Sequence, residues 1–291
     1  MAKSKEYSAV TLVLNNTCKL TKGAPLKVGD GYVRGIGQED IGFLTDIKTP
    51  FSDHLTHTHK AFFRPIDSSY QENQLSIQKE ALAFALNFSG NSQPIILGET
   101  HVFVKGRKKR REYLLPSSNA VSNDYLKQAK YNLPSNVKPI QVAEIYNICT
   151  HAVSASSSFL ITLSRFNSCL IRHDRNDQYL DLAIALESII TAGSEISFQF
   201  SILNSILAEK KPEKRLAIYA LLKKFYNVRS KLVHGVIENK YFLTKDELSK
   251  VHAVAKLNIL HKAQFLASGK TGAEWKKHQI NLMLGVPSEG S

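Results

Sequence analysis

The chain has 291 residues, 43% of them hydrophobic, which suffices for two folded domains with cores of their own. Its 38 Lys and Arg outnumber 25 Asp and Glu, giving a formal net charge of +13. No stretch approaches the roughly 20 apolar residues of a membrane helix. The start, Met1-Ala2-Lys3-Ser4-Lys5-Glu6-Tyr7, lacks the apolar core of a secretory signal, so membrane and secreted classes are excluded and a cytoplasmic location is expected.

The basic excess is not confined to one tail. Residues 1–130 hold 18 Lys and Arg against 12 Asp and Glu, and the remainder holds 20 against 13. A surplus spread in this way points to a polyanionic partner, of which nucleic acid is the commonest. Cys18, Cys149 and Cys169 are odd in number and far apart, which predicts buried or free thiols and neither a disulfide frame nor a zinc site.

The first 115 residues carry short β-type segments broken by Gly, Pro, Asn and Asp: Val10–Leu14, Tyr32–Ile36, Ile41–Leu44, Ala61–Ile66, Pro94–Leu97 and His101–Lys105. One helical stretch, Gln74–Phe88, interrupts them with Leu75, Ala81, Leu82 and Leu86. The expectation is an α+β protein overall, with a β-rich or α+β N-terminal domain over residues 1–115. Glycines 29, 31, 35 and 37 read as turns, since no helix follows them to make a phosphate loop. Asp53, His54, His57 and His59 form the one metal-like cluster, but no second ligand set accompanies them, and neither metal nor cofactor is expected. Lys105, Arg107, Lys108, Lys109, Arg110 and Arg111 make the densest charge run of the chain. It follows a predicted strand, and it reads either as a hairpin tip gripping a phosphate backbone or as a solvated loop.

Residues 116–139 have linker composition, with Pro116, Pro134 and Pro139 among polar residues, and the domain boundary is placed there. From 140 to 291 the apolar period becomes helical. A long helix is predicted over Ile140–Arg172, a second over Asp177–Thr191, and a third from the N-cap Ser194 to Glu209. The fourth opens on Pro212 and closes at Gly235, and two more cover Lys245–Ala267 and Ala273–Leu284. These make an all-α bundle.

On the fourth helix, Ala217, Leu221, Phe225, Val228 and Leu232 form the expected core stripe. The neighbouring stripe Ile218, Leu222, Tyr226, Arg229, Val233 places a permanent cation where an apolar residue belongs. Such a guanidinium requires a carboxylate, an interface or an anionic ligand. His234 sits in the last turn, where the carbonyl end of the helix favours an imidazolium, and it can exchange a proton near neutral pH. The two residues lie about 140° apart around the helix, so a two-fold dimer that joins two such pairs is the more plausible site. On the second helix, Glu187 interrupts the apolar stripe of Leu180, Ala183 or Ile184, and Ile190, and it is predicted to orient Arg229 or to bond a dimer partner. The residue pattern alone leaves two readings open. Arg229 and His234 are either reactive groups or a salt-bridged helix residue and a helix-end histidine.

Leu222-Lys-Lys-Phe-Tyr-Asn-Val-Arg-Ser-Lys-Leu-Val-His-Gly235 resembles the signature helix of the HEPN superfamily, especially its Apea-like branch. Asp181-Leu-Ala-Ile-Ala-Leu-Glu187 resembles that branch's Asp-Leu-x-x-x-Leu-Glu helix, and Ser164-Arg165-Phe166 and Ser194-Glu195-Ile196 fall in the family's order. The resemblance covers about residues 155–240 and leaves the N-terminal half untouched. It implies a helical bundle that dimerises around a composite cleft and cuts RNA without metal, leaving a 2′,3′-cyclic phosphate. Carried onto this chain, His234 handles the proton and Arg229 neutralises the phosphorane, with Glu187, Tyr226 and Ser230 in support. The resemblance further implies a toxin or anti-phage defence effector, with an antitoxin or regulatory partner. Ser230 departs from the Asn, Asp or His that often follows the arginine in catalytic members, which keeps open a non-catalytic module that binds RNA or protein.

Overall fold

A computed structural model describes residues 7–14, 18–19, 26–28, 31–35, 60–66, 72–90, 96–105, 108–114, 135–136, 139–172, 174–190, 195–235 and 239–286. The chain divides into two compact units, Met1–Asn147 and Ile148–Ser291.

In the first unit the backbone follows β1 (Tyr7–Leu14), β2 (Cys18–Lys19), β3 (Leu26–Val28), β4 (Gly31–Gly35), β5 (Lys60–Ile66), β6 (Ile96–Lys105), β7 (Lys108–Leu114) and β8 (Ser135–Asn136). Six of these backbones run side by side in the order β3-β4-β5-β1-β6-β7. Gly31 and Gly35 bound β4 instead of turning the chain, and the expected strand Ile41–Leu44 lies outside the described residues. Helix α1 (Glu72–Gly90) is buried without interruption from Ala81 to Asn87. Seven consecutive buried positions cover its whole circumference, the mark of a helix enclosed on all sides rather than laid on a surface.

The expected α+β class, with its β-rich N-terminal domain, is corrected to an all-helical one. Residues described with their side chains are 84% helical, and strand among them is reduced to a two-residue piece that makes no sheet. Among the described residues, buried apolar side chains sit on helices except Val28, Val33, the cap residue Ile190 and the loop residue Leu243. Short β-branched runs are a local signal, and they define a domain only where alternate side chains bury one face. The packing that is described is helix on helix.

Helix α2 (Pro139–Ala155) buries Val142, Ile145, Tyr146, Cys149, Ala152 and Val153. The single long helix expected over Ile140–Arg172 is broken: α2 ends at Ala155, and α3 (Phe159–Ile171) starts after a serine turn. Ser156 Oγ and Ser158 Oγ are 3.0 Å apart, and hydroxyls that bond locally in this way compete with the helical ladder.

The second unit is arranged around α4 (Arg175–Ile189), which touches α3, α5 (Ile196–Ala208), α6 (Pro212–Val233) and α7 (Lys245–Ala267). Asp174 caps α4 by accepting from the backbone N–H groups of Asn176 and Asp177. The cap of α5 is Glu195, held at φ 57 with no side-chain bond, and the expected cap Ser194 lies outside the described residues. Helix α6 opens on Pro212 as expected, and Gly235 follows it at φ 78, a left-handed position that favours glycine. Capping boxes start both α7 (Thr244 with Glu247) and α8 (Gly272–Leu284; Thr271 with Glu274). The C-terminal carbonyls of α4 are held from two directions. Lys262 Nζ donates to Ser188 O, while Trp275 Nε1 and Gln279 Nε2 donate to Ile189 O at 2.6 and 3.2 Å.

Asp181 is only 3% exposed, yet it faces α3, where it accepts from Arg165 Nη1 and Arg172 Nε at 2.8 Å each. Two guanidiniums thus satisfy one buried carboxylate and staple α3 to α4. Asp181→Ala is expected to lower stability by about 2–3 kcal/mol in denaturant unfolding, because both arginines lose their counter-charge but can still reach water. Unchanged stability contradicts the staple.

Burial holds His252 neutral and pushes its pKa down to about 4, with nearby Lys256 acting in the same direction. Unfolding returns it to an ordinary histidine, so the unfolded chain binds the extra proton between about pH 4 and 6.5. Its contribution is complete above that window and is lost as pH falls through it. The melting temperature is expected to drop from pH 7 to pH 5 and to drop less in His252→Gln.

Candidate active site

Glu187 stands in the last turns of α4 and Arg229 in the last turns of α6. The two charges meet where these helices pack. Arg229 Nη2 lies 3.2 Å from Glu187 Oε1 and donates to Oε2 at 3.4 Å. Their side chains are 26% and 24% exposed, so the pair is neither dry nor free in solvent. Arg229 Nε is buried with no hydrogen-bond partner, leaving part of the guanidinium unused.

Tyr226, one turn before Arg229, completes the cluster. Its ring lies 5.5 Å from the Arg229 guanidinium carbon and packs on Phe200 of α5, with ring centroids 4.8 Å apart. The phenol lies within electrostatic reach of Glu187. Its pKa is raised, first by burial and then by the Glu187 charge, while Arg229 pulls the other way. Phe225 and Tyr179 stack beneath at 5.3 Å, and the Tyr179 hydroxyl accepts from Leu243 N at 2.9 Å, so the floor under α6 is rigidly filled.

The expected core stripe of α6 holds at Phe225 and Val228 and fails at its N-terminal end. Leu222, Phe225 and Val228 are buried, whereas Ala217 is exposed and Leu221 only half-buried. Tyr226 and Arg229 lie half-buried on the edge of this face, and the edge position gives the guanidinium its carboxylate. The predicted pairing of Glu187 with Arg229 is present within one chain.

His234 is the C-cap of α6 and its side chain is exposed. Its backbone N–H donates to Ser230 O at 3.2 Å. Among the described residues no hydrogen bond joins His234 to Arg229, as expected for positions on different sides of one helix. Of the expected site residues, Glu187, Tyr226 and Arg229 are brought together, Ser230 adjoins them in sequence, and His234 stands apart at the helix end.

In the basic run, Lys105 ends β6 and pairs in backbone register with Lys108 of β7, while Val102, Phe103 and Val104 oppose Arg111, Arg110 and Lys109. Arg107 lies outside the described residues, as do Asp53, His54, His57 and His59. Among the described residues no three potential ligand side chains cluster for a metal ion, and no helix is long and apolar enough to cross a membrane. Cys149 and Cys169 are buried free thiols whose pKa values burial pushes up. Comparison with protein-family models, with curated proteins and with solved structures gives no match.

Sequence reasoning noted Arg165 and Asp181 only as parts of motifs and missed that they pair. The signal was an aspartate inside the apolar run Asp181-Leu-Ala-Ile-Ala-Leu186, which needs a buried partner.

The pairing of Glu187 with Arg229 predicts a measurable coupling. Glu187→Gln and Arg229→Gln, made singly and together, are expected to give about 1–2 kcal/mol of interaction in a double-mutant cycle, below a fully buried pair because water reaches both groups. Additive effects on unfolding free energy contradict the geometry.

Proposed function

We propose that this chain is a metal-independent endoribonuclease of the HEPN kind, acting as a cytoplasmic homodimer with Arg229 and His234 as its catalytic residues. The observation that carries the reading is the Glu187–Tyr226–Arg229 cluster, a held but incompletely bonded guanidinium on the same helix as an exposed histidine. The net charge of +13 supports an RNA substrate.

RNA brings its own nucleophile. The ribose 2′ oxygen attacks the adjacent phosphorus, the P–O5′ bond breaks, and the product strand ends in a 2′,3′-cyclic phosphate. The protein needs only to move a proton and to offset charge. His234 takes the 2′-hydroxyl proton or delivers one to the departing 5′ oxygen, and its partner's copy serves the opposite end. Arg229 binds the non-bridging oxygens, whose charge grows in the transition state. Glu187 and Tyr226 are positioning residues that fix the guanidinium plane. Ser230 offers a hydroxyl beside the phosphate. Lys105, Lys108, Lys109, Arg110 and Arg111 extend the anion-binding surface, and a toxin or defence role with a regulatory partner follows from the same resemblance.

One observation favours a second reading, in which the domain binds RNA or a protein without cutting. Arg229 already has a carboxylate on it, so its charge is met without a ligand.

Cleavage of a labelled single-stranded RNA in EDTA separates the two. Wild type is expected to cut, and His234→Ala and Arg229→Ala each to lose at least 100-fold in rate while folded, His234→Ala with the wild-type melting profile and Arg229→Ala with a lowered melting temperature from the lost Glu187 pair. Full activity in both variants, or none in wild type, contradicts the enzyme reading.

A further inference from the structure

A groove of about 540 Å³ runs between the N-terminal half of α6 and the start of α7. Ala217, Ile218 and Leu221 line one wall, and Ala253 and Val254 line the other. Leu257, 49% exposed, follows Ala253 by one turn and carries the apolar line onward. The sequence accounts for the hollow, since alanines stand at 217, 220 and 253 where longer side chains would fill it. On α6 the groove ends at Lys224, more than one turn before Arg229. Apolar surface left open in this way is where a partner binds.

Each wall extends over about 10 Å, or two helical turns. That is the reach of one face of a docked helix, with apolar anchors at i, i+3 or i+4, and i+7. Charge decides what kind of helix fits. Among the described residues Glu247 is the one carboxylate lining the groove, and it is already occupied: Lys224 Nζ donates to both its oxygens, at 2.8 and 2.9 Å. Lys250 lines the same wall, exposed, and among the described residues no ion pair engages it. Lys214, one turn before Ala217 and Ile218, shares the single carboxylate of Glu209 with Lys211. Together α6 and α7 carry ten Lys and Arg against three Asp and Glu. An acidic helix complements these walls. A second copy of this chain does not, because the exposed apolar face of α8, Ile280, Met283 and Leu284, comes with Lys276 and Lys277. Docking it would set lysine against lysine.

We propose that the groove between α6 and α7 receives an acidic amphipathic helix of a partner protein. Its apolar face fills the hollow between Leu221 and Val254, and its carboxylates bond Lys250 and Lys214. The surface includes none of the residues given chemistry above, and the inference stands independently of the nuclease reading.

The test uses the full-length protein and two fluorescein-labelled helical peptides with leucine at i, i+3, i+4 and i+7. Glutamate and alanine fill the remaining positions of one peptide, lysine and alanine those of the other. Anisotropy is expected to show saturable binding of the glutamate peptide and none of the lysine peptide. Ala253→Trp fills the groove from an exposed position and is expected to weaken binding at least about tenfold with an unaltered melting profile. Lys250→Glu, which leaves the groove open, is expected to weaken it about tenfold, whereas Lys223→Glu, the same charge change on an exposed residue outside the groove, stays within about twofold. Equal losses in the two lysine variants, wild-type binding by Ala253→Trp, or no binding of the glutamate peptide by wild type overturns the site. Sedimentation in which Ala253→Trp turns a dimer into a monomer also overturns it, since a second copy then fills the groove. RNA cleavage is measured separately, and its absence defeats the nuclease reading alone.

Discussion

The packing of α4 against α6 encloses one ion pair within an apolar and aromatic contact. Both helices bury apolar side chains on most of their facing surfaces, and into that contact each brings a charge, Glu187 and Arg229. Neither would be stable there alone, since an unpaired charge on a half-buried face loses its hydration without compensation. Set 3.2 Å apart, they neutralise each other and keep a quarter of their surface in water. Tyr226 stands beside them, its ring 5.5 Å from the guanidinium carbon and resting on Phe200. A charge pair kept this accessible contributes little as a mere staple, and well-packed apolar residues of similar size commonly do as well or better.

Comparison with the Asp181 staple makes that point from within the same helix. Asp181 accepts from Arg165 and Arg172 in close geometry, both contacts at 2.8 Å, and is almost wholly enclosed. There the carboxylate is saturated and the function is mechanical. At Glu187 the contacts are longer, one carboxylate oxygen lies off hydrogen-bond geometry, and the guanidinium Nε has no partner. Two ion pairs on one helix thus differ in completeness, and the incomplete one lies on the helix that ends in an exposed histidine. That difference supports assigning chemistry to Arg229 and structure to Arg165 and Arg172.

The boundaries of α6 were legible because the chain announces them chemically, with Pro212 at the first turn and Gly235 after the last. The pairing of Glu187 with Arg229 was legible for a similar reason, since each breaks an apolar stripe. The break between α2 and α3 was not, because serines are tolerated within helices and only their mutual hydrogen bonding shows that they end one. In the core stripe of α6, Phe225 and Val228 were legible but Leu221 was taken in place of Leu222, since the two are equally apolar and tertiary contacts alone choose between them. The class of the N-terminal half was misjudged by giving local β-type runs the weight of a packed layer, where α1 is what carries a described core.

Among possible measurements, the chemistry of the cut end addresses the central claim most directly. Wild-type protein incubated with a defined single-stranded RNA in EDTA, and the fragments weighed by mass spectrometry, reports both cleavage and its mechanism. The account predicts 5′ fragments ending in a 2′,3′-cyclic phosphate, lighter by one water than the linear phosphate. A substrate lacking the 2′-hydroxyl at the cut position should resist. Fragments with 3′-hydroxyl ends, or cleavage that needs a divalent ion, would contradict attack by the 2′ oxygen and with it the roles given to Arg229 and His234.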